Sequence, residues 1–128
     1  MSESRSREGE GGKGEMVSVF LEAIPVNLAI ARAICNDNRA NNAYFERYGM
    51  IIRIRGEGKL VVKRRIIEGV IGRELTENEW DSVAFNYIGT ISKFEDDEIV
   101  FEDSEASLEK DRYWDTLVER VMRSVGRR

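Results

Sequence analysis

The chain has 128 residues, one domain's worth of material, and a 41% hydrophobic content sufficient for a single modest core. It contains no histidine and no glutamine, which removes Ser-His-Asp and Cys-His catalysis, imidazole metal ligation and any side chain whose unperturbed pKa lies near neutrality. The formal net charge of -4 conceals a segregation: residues 50–73 carry seven basic and two acidic groups, whereas residues 74–111 carry two and thirteen. Local field, not total charge, decides where a polyanion binds.

Residues 1–15 are Ser, Gly, Glu and Arg almost throughout and predict a disordered polar tail, neither signal peptide nor membrane anchor. A single domain is expected over residues 16–128. No stretch approaches the roughly 18 apolar residues a membrane span needs, so a soluble, cytoplasmic protein is expected. Cys35 has no partner for an internal disulfide and reads as an inert core thiol. The 34% charged content, with more Arg than Lys, leans towards a thermophilic source.

Residues 16–24 are apolar and β-branched, which predicts a buried strand ending at Pro25. A helix is expected from Asn27, with Leu28, Ala31, Ile34 and Cys35 on one face, and it gives way to the polar run Asn36-Asp37-Asn38-Arg39-Ala40-Asn41-Asn42. Residues 43–48 are read as a second short helix capped by Gly49. Next, residues 51–65 alternate apolar and basic positions around Gly56-Glu57-Gly58, the strongest hairpin signal in the chain. Pairing Arg55 with Lys59 puts Arg53, Arg55, Lys59 and Lys63 on one face and Ile52, Ile54, Leu60 and Val62 on the other.

Residues 64–71 are expected to form a short helix stopped by Gly72. Thr76-Glu77-Asn78-Glu79 has the spacing of a capping box, opening a helix with Trp80, Val83, Ala84 and Tyr87 on one side and Gly89 as its end. Residues 90–94 and 98–102 predict a second, acidic hairpin around Asp96-Asp97. Trp114, Leu117, Val118, Val121, Met122 and Val125 form the stripe of a terminal helix from about Ser107. The whole predicts an α+β fold: a mostly antiparallel sheet of about five strands, helices on one face and a C-terminal helix.

The basic hairpin face is the leading site candidate, because cations alternating with apolar side chains suit phosphates and bases together. Arg53, Arg55, Lys59 and Lys63 would contact phosphate, Arg64 and Arg65 would extend the patch, and Tyr44 or Phe20 would stack. The competing reading of the same residues is a solvated sheet face, or an edge guarded by charge. Residues 64–88 do not make a major-groove reader, since Glu77, Glu79 and Asp81 would meet phosphate. The acidic turn at 95–98 lacks the spacing of a metal site, and no cofactor is expected. The terminal stripe at Trp114, Val118, Val121 and Val125 predicts packing on the sheet or a homo-oligomer contact.

A polar tail at 1–15, a compact α+β domain at 16–103 carrying the basic and apolar 51–65 hairpin, and a terminal helix at 107–126 together resemble the archaeal ThermoDBP-type single-stranded DNA-binding proteins. The resemblance is one of architecture and composition. It implies sequence-tolerant binding of single-stranded DNA or RNA by an oligomer, without enzymatic activity. The alternative is a protein-interaction or assembly adaptor, viral or regulatory, that uses its acidic hairpin and the helix at 77–88.

Overall fold

The computed structural model describes residues 16–104, 112–113 and 115–122. The chain runs β1 (Met16–Glu22), α1 (Pro25–Asp37), a short 3-10 turn (Arg39–Asn41), β2 (Tyr44–Tyr48), β3 (Ile51–Glu57), β4 (Lys59–Lys63), α2 (Arg64–Ile71), α3 (Glu77–Ser82), β5 (Tyr87–Ile88), β6 (Thr90–Phe94) and β7 (Glu98–Glu102). Residues 112–113 and 115–122 are helical and are called α4. The fold is α+β with a C-terminal helix, as expected, but its strands form two antiparallel sheets, ordered β2-β3-β1-β5 and β4-β7-β6.

Both sheets turn their apolar residues into one core. Val17 and Val19 of β1 and Ile52 and Ile54 of β3 meet Leu60, Val62, Ile99 and Phe101 of the second sheet, with Ile30, Ala31 and Ile34 of α1 over them. Ile67 of α2 and Trp80 of α3 close the same core. Period-2 alternation in the strands and period-3.6 spacing in α1 make this convergence possible.

Two expectations about strands and their pairing also change. Residues 44–48 are a strand and not a helix: β2 pairs with β3 through a two-residue turn, with Tyr48 opposite Ile51 and Gly49 at φ 61°, where such hairpins favour glycine. Phe45 and Tyr48 sit three apart, which imitates helical spacing, yet Tyr and Phe fit a pleated surface better. Conversely, β3 and β4 are not a hairpin. β3 is already flanked by β1 and β2, leaving it no open edge. The chain crosses to the other sheet through Gly56-Glu57-Gly58, where a Cβ on Gly56 would lie 2.7 Å from Leu60 Cδ2.

Charge selects the partner of β4. Lys59 lies opposite Glu102 and Lys63 opposite Glu98, and opposite charges facing each other across strands favour that register. The outer edge of β4 is closed by Asn38, whose side-chain amide accepts from Val61 N at 2.9 Å and donates to Val61 O at 2.8 Å. A side chain thus stands in for one more rung of the ladder. α3 has the expected capping box, with Thr76 and Glu79 satisfying each other's backbone donors, but it ends at Ser82. Gly89 instead joins β5 to β6.

Candidate functional site

The outer face of the four-stranded sheet, opposite the core, gathers four of the eight residues expected to bind nucleic acid. Arg53 and Phe20 are cross-strand partners, with the guanidinium 5.7 Å from the ring centroid. Arg55 and Tyr44 are likewise partners, at 5.8 Å. Arg55 also reaches Glu46, at 3.4 Å. Arg53 is 0% exposed; its Nε donates to Ser18 Oγ at 2.9 Å and its Nη1 to Asp115 of α4 at 2.8 Å. Burial pulls the Arg53 pKa down, aided by neighbouring Arg55, and Asp115 opposes the shift. α4 therefore lies over this face and supplies its counter-charge. Burial, and then a hydrogen bond to Glu46, push the Tyr48 hydroxyl up to about 12.

The other four lie elsewhere. Lys63 pairs with Asp37 at 3.3 Å, and Lys59 is exposed beside Glu102. Arg64 is a structural clamp: it bonds Glu68, Glu77, Asp96 O and Leu75 O and lies 5.8 Å from the Trp80 ring centroid. It ties α2 to α3 and to the β6-β7 turn. Arg65 is exposed on α2. One continuous cationic surface therefore does not form, because the chain's acidic block meets its basic block internally. Of the expected oligomer contacts, Val118 is half-buried and Val121 is exposed on α4, while Trp114 and Val125 fall outside the described residues.

Sequence reasoning missed an apolar end of the molecule. The β2-β3 turn, the C-terminal half of β1, the loop before β5 and the start of α4 enclose a groove of about 820 Å³. Met50, Phe85 and Tyr113 stand on its rim at 66%, 71% and 71% exposure, and Phe20, Leu21 and Ile51 line it. Ile24 and Val26, also exposed, sit next to it on the chain beyond Ala23, whose N–H bonds Met50 O at 2.8 Å. A signal existed: Phe85 lies off the Trp80, Val83, Ala84 stripe, and Met50 lengthens an apolar run into a turn, where polar residues are the norm. Large aliphatic and aromatic side chains left exposed around one groove form an apolar patch of the kind that partners cover.

Among the described residues no group of three or more Cys, Asp or Glu side chains is placed to hold a metal ion. No helix among them is long and apolar enough to cross a membrane.

A family model described as the MmoB/DmpM family matches residues 15–102. The chain belongs to the MmoB/DmpM family. Its match spans β1 through β7 and stops before α4. A chain from a structure of the phenol hydroxylase-regulatory protein complex is 23% identical, with a TM-score of 0.58 over 70% of this chain and 100% of that one. A second such complex gives 23% identity and a TM-score of 0.53 over 69% and 99%. The structure of the soluble methane monooxygenase regulatory protein B is 14% identical, with a TM-score of 0.54 over 80% and 74%. No curated protein matches the chain significantly.

These findings overturn the ThermoDBP resemblance, and with it the expectation of a single-stranded nucleic-acid partner. The likeness rested on layout and charge, which this MmoB/DmpM member shares for internal reasons: its cations at 53, 55, 63 and 64 are paired within the fold. The expectation of a non-enzymatic protein stands, and the adaptor alternative fits the family.

Proposed function

We propose that this protein is the regulatory component of a multicomponent monooxygenase, a cytoplasmic adaptor that docks on the hydroxylase component and supplies no catalytic group. Family membership over residues 15–102 carries the reading. The apolar end supports it, because Met50 on the β2-β3 turn, Phe85 in the loop before β5 and Tyr113 on α4 offer partner-sized apolar anchors around one groove. A docking protein without reactive groups acts through differential affinity: it shifts the hydroxylase towards whichever conformation it binds more tightly. The docking face in this proposal is the apolar end, and the acidic β6-β7 hairpin assumed for the adaptor alternative lies on the other sheet.

The test mixes the purified protein with the hydroxylase component of a multicomponent monooxygenase from the same organism. A stoichiometric complex on gel filtration, and a saturable change in substrate oxidation rate as the protein is added, are expected. Neither complex nor rate change at tens of micromolar protein would overturn the proposal.

A further inference from the structure

Of the ten described residues that line the apolar groove, Glu22 is the one that carries a charge. Strand geometry places it on the groove side. Phe20 and Arg53 face each other on the outer side of the four-stranded sheet. Glu22, two residues beyond Phe20 on β1 and opposite Ile51 on β3, falls on that same side. Its backbone is held in place, because the carbonyl accepts from Ile24 N and from Asn27 Nδ2, both at 2.9 Å. Among the described residues its carboxylate has no ion-pair partner. Two cations of the same sheet are engaged elsewhere, Arg53 with Asp115 at 2.8 Å and Arg47 with Gly49 O at 2.9 Å.

In the free protein Glu22 is exposed and therefore hydrated. A partner that covers Phe20, Ile51 and Met50 takes that water away. A carboxylate covered without a counter-charge costs as much as burying one or two apolar anchors gains. The groove thus disfavours a wholly apolar segment, and an acidic one more strongly, and it accepts one that brings a cation to the same place.

We infer that the groove recognises a segment of the hydroxylase component that carries a lysine or arginine between apolar side chains, with the cation on Glu22 and the apolar residues against Phe20, Met50 and Phe85. This rests on the monooxygenase reading and adds to it the chemistry of the segment that is bound. The apolar rim supplies contact area, and Glu22 sets specificity.

The test is calorimetric titration of the full chain into the hydroxylase component from the same organism, at low and at high salt. The variants are Glu22→Gln, Glu22→Lys and, as a control of equal charge change, Asp81→Asn on α3. Both positions are exposed, so each variant is expected to melt within about 2 °C of wild type. Kd is expected to rise about tenfold for Glu22→Gln and about a hundredfold for Glu22→Lys, and to stay within about twofold for Asp81→Asn. Salt is expected to weaken the wild type more than Glu22→Gln. Wild-type binding with Glu22→Gln equally tight, or with Asp81→Asn weakened as much as Glu22→Gln, would overturn the inference and leave the docking proposal standing. No wild-type binding would overturn both. Gel filtration of the protein alone tests the other occupant: a dimer that Met50→Ser dissolves would assign the groove to a second copy of this chain and overturn the inference.

Discussion

Replacing Asn38 by alanine removes three hydrogen bonds at one point: the side-chain amide donates to Ile34 O and Val61 O, each at 2.8 Å, and accepts from Val61 N at 2.9 Å. Asn38 is only 4% exposed, so alanine leaves the α1 carbonyl and both backbone groups of the β4 edge without partners. An orphaned buried group costs about 1–3 kcal/mol, and Val61 is half-buried, so water recovers part of its loss. The expected destabilisation is about 2–4 kcal/mol, a fall in Tm of roughly 10 °C or more for a domain of this size. Circular dichroism in urea should show a lower midpoint with an unchanged slope. Asn38→Asp separates geometry from packing. The carboxylate still accepts from Val61 N but faces two carbonyl oxygens, so its folded pKa is raised, and the stability it supplies when protonated is lost as pH rises. Asp should therefore be closer to wild type at pH 4 than at pH 7. An unfolding free energy within about 0.5 kcal/mol of wild type for Asn38→Ala would refute the view that this amide closes the sheet edge.

Four further outcomes are expected. Phe85→Ser combined with Met50→Ser should leave stability within about 0.5 kcal/mol because both side chains are mostly exposed, yet weaken hydroxylase binding by about 10- to 100-fold by calorimetry. Thr76→Ala should cost about 1 kcal/mol by loss of the α3 cap. Glu79, held down to about 2 chiefly by its hydrogen bonds to Arg73 and then by the Thr76 backbone, has a depressed folded pKa, so its contribution is present above pH 4.5 and is lost as pH falls towards 2; the melting gap between wild type and Glu79→Gln should close over that window. Burial pushes the Cys35 thiol from 9.0 to about 11, so its iodoacetamide labelling at pH 7 should be about a hundredfold slower folded than in urea.

Local signals carried most of the fold. The Thr76-Glu79 cap, the strand before Pro25, α2 with its stop at Gly72 and the β6-β7 hairpin all follow from residues within a few positions of one another, and each stands within two residues of its expected bounds. Partner choice was not local. Alternation around Gly56-Glu57-Gly58 says that two strands flank a bend, but not that β1 and β2 occupy both edges of the first. Likewise the helical spacing of Phe45 and Tyr48 cannot reveal an edge of β3 waiting for a strand. The capped helix ended early because the residues after Ser82 are drawn into β5, whose Tyr87 pairs with Val19.

The site was half legible for a related reason. Composition places Arg53, Arg55, Tyr44 and Phe20 in neighbouring segments, and the sheet does bring them onto one face. What composition cannot show is whether a charge faces solvent or the protein's own opposite charge. Lys59 and Lys63 line up with Glu102 and Glu98 along β4 and β7, Arg64 bridges to Glu68 and Glu77, and Arg53 reaches across 62 positions to Asp115. The acidic block is therefore the counterpart of the basic one, and the separation of charge along the sequence becomes neutralisation in space. Against that mostly paired polar surface, the unpaired feature is apolar: Met50, Phe85 and Tyr113 bury little of themselves within the chain. Exposing them costs the free protein hydrophobic free energy that a partner can recover on binding, which makes this end, and not the cationic face, the surface on which recognition by another protein should turn.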